Sequence, residues 1–311
     1  MDNSEAVWNS SVSNRCEVEA AVCSTRWLST VLCCGLVAGI VGCGDDDGDV
    51  CDCPAASVIN CGHRGTGVNG PDNPYPENTL PSFAQAVTEG AQMIELDVMH
   101  SADGELVVIH DDSVDRTTDG TGCVGDQTLA ELQSLDAAYG TSLEGTGVVI
   151  PTLDEVLAAV DVPVNVEIKI ADDPTCPASD LDLVAQDLVA AIVGDPAPRD
   201  IVVSSFDFDM LVAVQELDPS IHLGHLTVVY TDAQAAADQG FAALNVMGSF
   251  YGADEIRSIL DTGLEANVWT INDPLIMEGL LGTGVSIFIT DDPDVLEQTR
   301  QDWCTDYCAS P

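Results

Sequence analysis

The chain has 311 residues, 46% of them apolar, with 53 acidic side chains against 8 basic ones and a formal charge of −45 at pH 7. That apolar content excludes a disordered chain. So few cations cannot form the clustered Lys/Arg surface that a phosphate backbone requires, so no nucleic-acid partner is expected. The acidic excess reads as a solvating shell suited to salty surroundings, where counterions screen self-repulsion. Scarcity makes the cations informative: Lys169 is the only lysine, and Arg64 and Arg116 fall inside motifs.

The uncharged stretch from Trp27 to Gly42 is too short for a comfortable membrane span and suits the core of an export signal. Arg26 precedes it, and Ile40-Val41-Gly42-Cys43 follows the pattern of a bacterial lipobox, in which the cysteine is lipidated and becomes the new N-terminus. Residues 1–43 are therefore expected to be an export signal ending at a lipidated Cys43, and 44–56, opening with GDDDGD, an acidic tether. This places the protein on the cell envelope or the periplasmic face of a bacterial membrane, held by its lipid anchor. Asp2, Glu5, Glu17 and Glu19 do not suit a basic leader, so either translation begins downstream of Met1, the reading favoured here, or the export signal is an unusual one. Seven cysteines follow Cys43. Export favours disulfides, the odd number leaves at least one thiol unpaired, and the spacing does not fix the connectivity. Cys304 and Cys308 read as disulfide cysteines rather than half a zinc site, because no histidine is near them in sequence.

From residue 57 onward, apolar runs at 57–62, 92–98, 163–170, 200–205, 220–226, 242–246, 265–271 and 285–290 alternate with helical patterns. In the first helix Leu80, Phe83, Ala84 and Val87 share one face, after a polar start at Asn78-Thr79 and before a stop at Gly90. Later helices are expected at about 180–193, 207–217, 232–239, 253–262, 273–281 and 292–300. Eight strands with intervening helices predict an α/β fold, a (β/α)8 TIM barrel over 57–300, with a doubly wound sheet as the competitor. The additional run 103–110 pairs as a hairpin with the second strand, and the Gly/Thr-rich stretch at about 111–150 is a small insertion after strand two. Residues 301–311 are left as a Cys-containing tail.

The strand ends carry the chemistry. The first ends in Gly62-His63-Arg64-Gly65, the second bears Glu95 and Asp97, the hairpin run ends in His110-Asp111, the third bears Glu167 and Lys169, and the seventh bears Trp269. Side chains alternate along a strand, so Glu95 and Asp97 share one face, as do Glu167 and Lys169. In a barrel these faces meet near the mouth. Charges gathered there are too costly for an apolar core, and three carboxylates suit a hard divalent cation.

HRG (63–65), PENT (76–79), ELD (95–97), the segment 104–122 around His110, PTLDEVL (151–157), VEIK (166–169) and VWTIN (268–272) together resemble the glycerophosphodiester phosphodiesterase family, in order, from Ile59 to Leu296. The resemblance implies His63 and His110 as general acid and base, and Glu95, Asp97 and Glu167 as ligands of one divalent cation, Ca2+ or Mg2+. It implies Arg64 and Lys169 at the phosphate and Trp269 against the glycerol or alcohol. The implied activity is hydrolysis of small glycerophosphodiesters to glycerol 3-phosphate and an alcohol, with the glycerol 2-hydroxyl attacking phosphorus to form a cyclic phosphate that water opens. A lyase that stops at the cyclic phosphate of lysolipids or sphingolipids is the alternative, and a non-catalytic surface lipoprotein a third reading. The ten residues from Thr66 to Tyr75 between HRG and PENT exceed the short members of the family.

Other polar residues are assigned to structure. Glu77 and Asn78 are expected to fix their loop and cap the helix, Arg116 to tie down the insertion, and His100 to lie on the surface. His222 and His225, three apart on a strand, point to opposite faces. Phe206 is assigned to the mouth or to the core.

Overall fold

The computed structural model describes residues 51–70, 73–197 and 199–309; the expected export signal, the lipidation site Cys43 and residues 44–50 of the expected tether lie outside the described residues. The strands are β1 (Ile59–Gly62), β2 (Met93–His100), β3 (Leu106–Val108), β4 (Val164–Ile168), β5 (Ile201–Ser205), β6 (His222–Thr227), β7 (Ala243–Met247), β8 (Glu265–Trp269) and β9 (Ile287–Thr290). All but β3 pair in parallel around a closed ring, β1-β2-β4-β5-β6-β7-β8-β9, with β9 returning to β1. This is the (β/α)8 barrel. Strand β3 runs antiparallel to β2, with Val98 opposite Val108 and His100 opposite Leu106.

The helices are α1 (Leu80–Thr88), α2 (Leu129–Leu132), α3 (Leu153–Ala159), α4 (Leu181–Gly194), α5 (Phe208–Leu217), α6 (Ala233–Gln239), α7 (Ala253–Leu260), α8 (Pro274–Leu280) and α9 (Pro293–Ala309). Part of the acidic excess starts them: Asp180, Asp207 and Asp273 each accept from a backbone N–H of the first turn of α4, α5 and α8. These are donors that a helix otherwise leaves unpaired.

Alternation sorts the strand side chains into two layers. Ile94, Leu96 and Val98 of β2 face outward and pack with Phe83 of α1 and the other helices in the main core. Cys61, Met93, Ile287 and Ile289 form a small cluster in the barrel interior, and Cys61 is a buried free thiol. The insertion has its own core: Val114, Val124, Leu132, Ala137 and Ile150 pack on Met99, Val107 and Ile109. It therefore folds onto the face of the β2–β3 hairpin that carries Met99 and Val107, the face that Glu95 and Asp97 share by alternation, and not onto the Val98–Val108 face that packs on the helices.

Both chain boundaries expected at the ends are revised. Helix α9 runs on to Ala309, so residues 301–309 are not a tail but its last turns. Cys304 and Cys308 lie one turn apart on α9 and pair with Cys53 and Cys51, respectively. Residues 51–56 are accordingly not tether; Cys53 and Ala55 are buried against the bottom of the barrel. A third disulfide, Cys123–Cys176, staples the insertion to the loop after β4. Among the described residues no helix is long and apolar enough to cross a membrane.

The Cys51–Cys308 and Cys53–Cys304 bonds close almost the same loop, spanning 257 and 251 residues. Losing one pair leaves nearly all of that constraint on the unfolded chain. Cys51→Ser/Cys308→Ser and Cys53→Ser/Cys304→Ser should each lower thermal stability little. The quadruple variant should lose about 2–5 kcal/mol, more than the two together. Additive losses in thermal unfolding would contradict this.

Candidate active site

Every strand-end residue singled out in the sequence lies at the C-terminal mouth of the barrel, the end where barrels of this kind carry their chemistry. Parallel pairing of β2 with β4 sets Asp97 beside Glu167 and Glu95 beside Asn165. The inward face of two adjacent strands thus brings Glu95, Asp97 and Glu167 together, with one oxygen of each within 4.8 Å of the others. Glu95 and Asp97 are 2% and 1% exposed. Burial and then the charges of Asp97 and Glu167 push the Glu95 carboxyl well up from its ordinary value; burial and then Asp97 also raise Glu167.

The nearby cations answer this only in part. Lys169 Nζ donates to Glu167 Oε1 at 2.8 Å, and Arg64 Nε lies 3.3 Å from Asp97 Oδ2. Burial lowers the Lys169 pKa, but Glu167 and Asp97 outweigh it and hold it above its usual value. Glu95 Oε1 and Asp97 Oδ1 are buried with no hydrogen-bond partner. Oxygen-only donors with orphaned lone pairs in one small space fit a hard divalent cation.

Arg64 is held in the left-handed region, φ 52°, where a non-glycine residue is uncommon. That turn aims its backbone N–H at Glu95 Oε2 (2.9 Å) and its guanidinium at Glu77 Oε1 (2.9 Å). Gly65 follows at φ 91°, and a Cβ there would fall 2.3 Å from Ser82 Oγ, so the turn tolerates no side chain. Asn78, also left-handed at φ 57°, does not cap α1. Thr79 occupies the cap position without a side-chain bond, while Asn78 donates to Asp97 Oδ2 at 2.8 Å. Glu77 does fix its loop: it accepts from Asn69 N, Arg64 and Arg116. Burial raises its carboxyl, yet the Arg116 hydrogen bonds and the Arg64 charge hold it down at about 2.

The two imidazoles flank the carboxylates, each backed by an acid. His63 Nδ1 is 2.6 Å from Asp291 Oδ1, and Asn272 Nδ2 steadies the other oxygen of Asp291 at 2.7 Å. His110 Nδ1 is 2.7 Å from Asp111 Oδ1, and its Nε2 lies 3.2 Å from Lys169 Nζ. Burial pushes Asp291 up, but the hydrogen bond and charge of His63 leave it below its ordinary value. Trp269 donates from Nε1 to Asn245 O and stands edge-on to Phe206 at 5.3 Å between ring centres. Phe206 is 47% exposed and Lys169 Nζ sits 5.8 Å from its centre, so it lines the mouth.

Asp291 and Asn272 were missed as functional residues. Their signal was position, since Asp291 directly follows the last strand and Asn272 the seventh predicted one. His100 is half-buried with Nε2 3.1 Å from Asp187, so it is less of a surface residue than expected. His222 is exposed and His225 buried, on opposite faces as expected.

Residues 63–295 match the Glycerophosphoryl diester phosphodiesterase family. A glycerophosphodiester phosphodiesterase of Bacillus subtilis is 30% identical over 263 residues, covering 78% of this chain and 87% of that protein. One from Caldanaerobacter subterraneus is 33% identical over 239 residues, covering 75% of this chain and 94% of its own. A solved phosphodiesterase of Oleispira antarctica, in complex with the product sn-glycerol-3-phosphate, superposes with a TM-score of 0.69 at 28% identity, covering 79% of this chain and 99% of that one. The barrel thus belongs to a class of phosphodiester-cleaving enzymes. The chain is a member of the glycerophosphoryl diester phosphodiesterase family.

A cation held by the three carboxylates should stabilise the fold. At about 100 times its dissociation constant, Mg2+ or Ca2+ should add about 2.7 kcal/mol at neutral pH. Because the folded-state pKa values of Glu95 and Glu167 lie above their ordinary ones, the metal-free protein loses stability as pH rises through them. The cation effect should grow over that same rise and vanish in acid, and Asp97→Asn should remove most of it. A melting temperature indifferent to both cations would contradict the site.

Proposed function

We propose that the protein hydrolyses glycerophosphodiesters to glycerol 3-phosphate and an alcohol, outside the cytoplasm. The single observation that carries this reading is the pair of His–carboxylate dyads beside one cluster of three carboxylates, two of them buried. Glu95, Asp97 and Glu167 would hold a divalent cation, Ca2+ or Mg2+, whose charge offsets that building on the phosphoryl oxygens. Arg64 and Lys169 add fixed positive charge on either side of it. Trp269 and Phe206 offer the apolar wall against which the glycerol or alcohol carbons pack.

Two proton transfers are needed, and there are two imidazoles. With Nδ1–H donated to a carboxylate, each ring presents Nε2 to the substrate. One takes the proton from the glycerol 2-hydroxyl as its oxygen bonds to phosphorus. The other gives a proton to the alcohol oxygen as the bond from phosphorus to that oxygen breaks. The five-membered cyclic phosphate is then opened by water, with the two imidazoles exchanging roles: a proton leaves the water, its oxygen bonds to phosphorus, and the 2-oxygen departs protonated.

Purified protein with Mg2+ or Ca2+ should release glycerol 3-phosphate from glycerophosphocholine. His63→Ala and His110→Ala should each lower kcat by about 10²–10⁴-fold and leave the far-ultraviolet circular dichroism unchanged. No release from a panel of glycerophosphodiesters would overturn the reading, and phosphorus NMR showing cyclic phosphate as the end product would replace hydrolase by lyase.

We propose further that Cys43 carries a lipid that keeps the enzyme at a bacterial membrane. Three disulfides in the described residues support an oxidising compartment. A fatty-acid label should enter the protein in cells and be lost in Cys43→Ala; label persisting in that variant would refute the anchor.

A further inference from the structure

Arg116, in the insertion just beyond β3, was expected only to tie that segment down. Its guanidinium forks twice. One edge meets Asp111, with Nε 2.6 Å from Oδ2 and Nη2 3.0 Å from Oδ1. The other meets Glu77, with Nη1 2.7 Å from Oε2 and Nη2 2.8 Å from Oε1. Each carboxylate passes the constraint on. Asp111 Oδ1 is the partner of His110 Nδ1, and Glu77 Oε1 is the partner of Arg64 Nη1.

The two carboxylates differ in how firmly they are held. The Glu77 side chain is 2% exposed and also accepts from Asn69 N, while the Asn69 amide oxygen accepts in turn from Glu77 N. Asp111 is 29% exposed, as is His110, and a carboxylate open to solvent is otherwise free to swing about its last torsion. A two-point fork fixes the plane of a carboxylate, and a lysine, a single charged point, cannot. The plane of Asp111 in turn sets the tautomer and tilt of the His110 ring, and so the direction in which Nε2 points.

We propose that Arg116 is a positioning residue for phosphodiester cleavage: it locks the Asp111 carboxylate, and through it the His110 imidazole, to the buried Glu77 that also holds Arg64. The proposal rests on the reading of His110 as one of the two imidazoles that move protons. It assigns Arg116 no contact with substrate. It also differs from a structural pin, which would loosen the insertion without acting selectively on turnover.

The wild type, Arg116→Ala, Arg116→Gln and Arg116→Lys are compared on glycerophosphocholine with Mg2+. Misorientation of one proton-transferring group should lower kcat by about 100-fold with KM little changed, in the lysine variant as well as the neutral ones. Added guanidinium chloride, at concentrations well below denaturing, should restore kcat of Arg116→Ala several-fold, and ammonium chloride at equal ionic strength should not. Independently of any substrate, proton NMR should show a downfield imidazole N–H, identified as that of His110 by its loss in His110→Ala. It should be sharp in the wild type and broadened by exchange in all three variants. Wild-type kcat in Arg116→Ala would overturn the assignment. So would a loss that guanidinium does not restore while the His110 resonance stays sharp. A wild type inactive on every glycerophosphodiester, with a resonance that still depends on Arg116, would instead overturn the proposed activity and leave the hold on His110 standing.

Discussion

Three carboxylates share a space less than 5 Å across on the inner wall of a closed barrel, and the rest of the mouth is arranged around their repulsion. Neither adjacent strand can turn its inward side chains away without breaking register with its neighbours, so Asp97 and Glu167 stay side by side. Burial removes the water that would otherwise screen them. What surrounds them is correspondingly positive or donating: the Arg64 backbone N–H and guanidinium, the Asn78 amide and the ammonium of Lys169. These groups leave Glu95 Oε1 and Asp97 Oδ1 unanswered, and a divalent cation would answer both.

The same demand explains the unusual backbone of the first loop. Arg64 and Asn78 both sit at positive φ, and each uses that turn to point a donor at β2. Such conformations persist where the surroundings over-determine them, and here the carboxylates do so. The imidazoles take their orientation from acids outside the cluster, Asp291 and Asp111. Under the proposed mechanism this separates the groups that hold the phosphate from those that move protons. Elsewhere in this very acidic chain, Asp180, Asp207 and Asp273 serve as helix caps, a role that needs no partner of opposite charge.

Much of the barrel was legible because its signals are local. Alternation along ELD and EIK fixes which side chains face inward, whereas the spacing of Leu80, Phe83, Ala84 and Val87 marks a helix but not its buried face: only Phe83 is buried, and the core takes Ser82 and Ala86 in place of the other three. What escaped depends on pairs distant in sequence. His63 and Asp291 are 228 residues apart and meet only when β9 closes on β1. The disulfides of Cys51 and Cys53 with α9 were hidden for the same reason, and α9 itself was cut short because its last turns are polar and gain their hold from those bonds. Asn before a helix is usually its cap, but the nearby Asp97 wins the competition for the Asn78 amide. The two-sided grip of Arg116 was invisible for want of any sequence relation between Glu77 and Asp111.

The carboxylate cluster at the mouth is proposed as a cation site, and that assignment underlies the rest. Anomalous X-ray scattering from crystals of the full chain soaked in Mn2+, a hard cation that scatters strongly enough to locate, tests it most directly. One dominant peak is expected, bounded by Glu95, Asp97 and Glu167 and about 2–2.6 Å from an oxygen of each. A dominant peak elsewhere, with these three carboxylates paired only to Arg64 and Lys169, would contradict it.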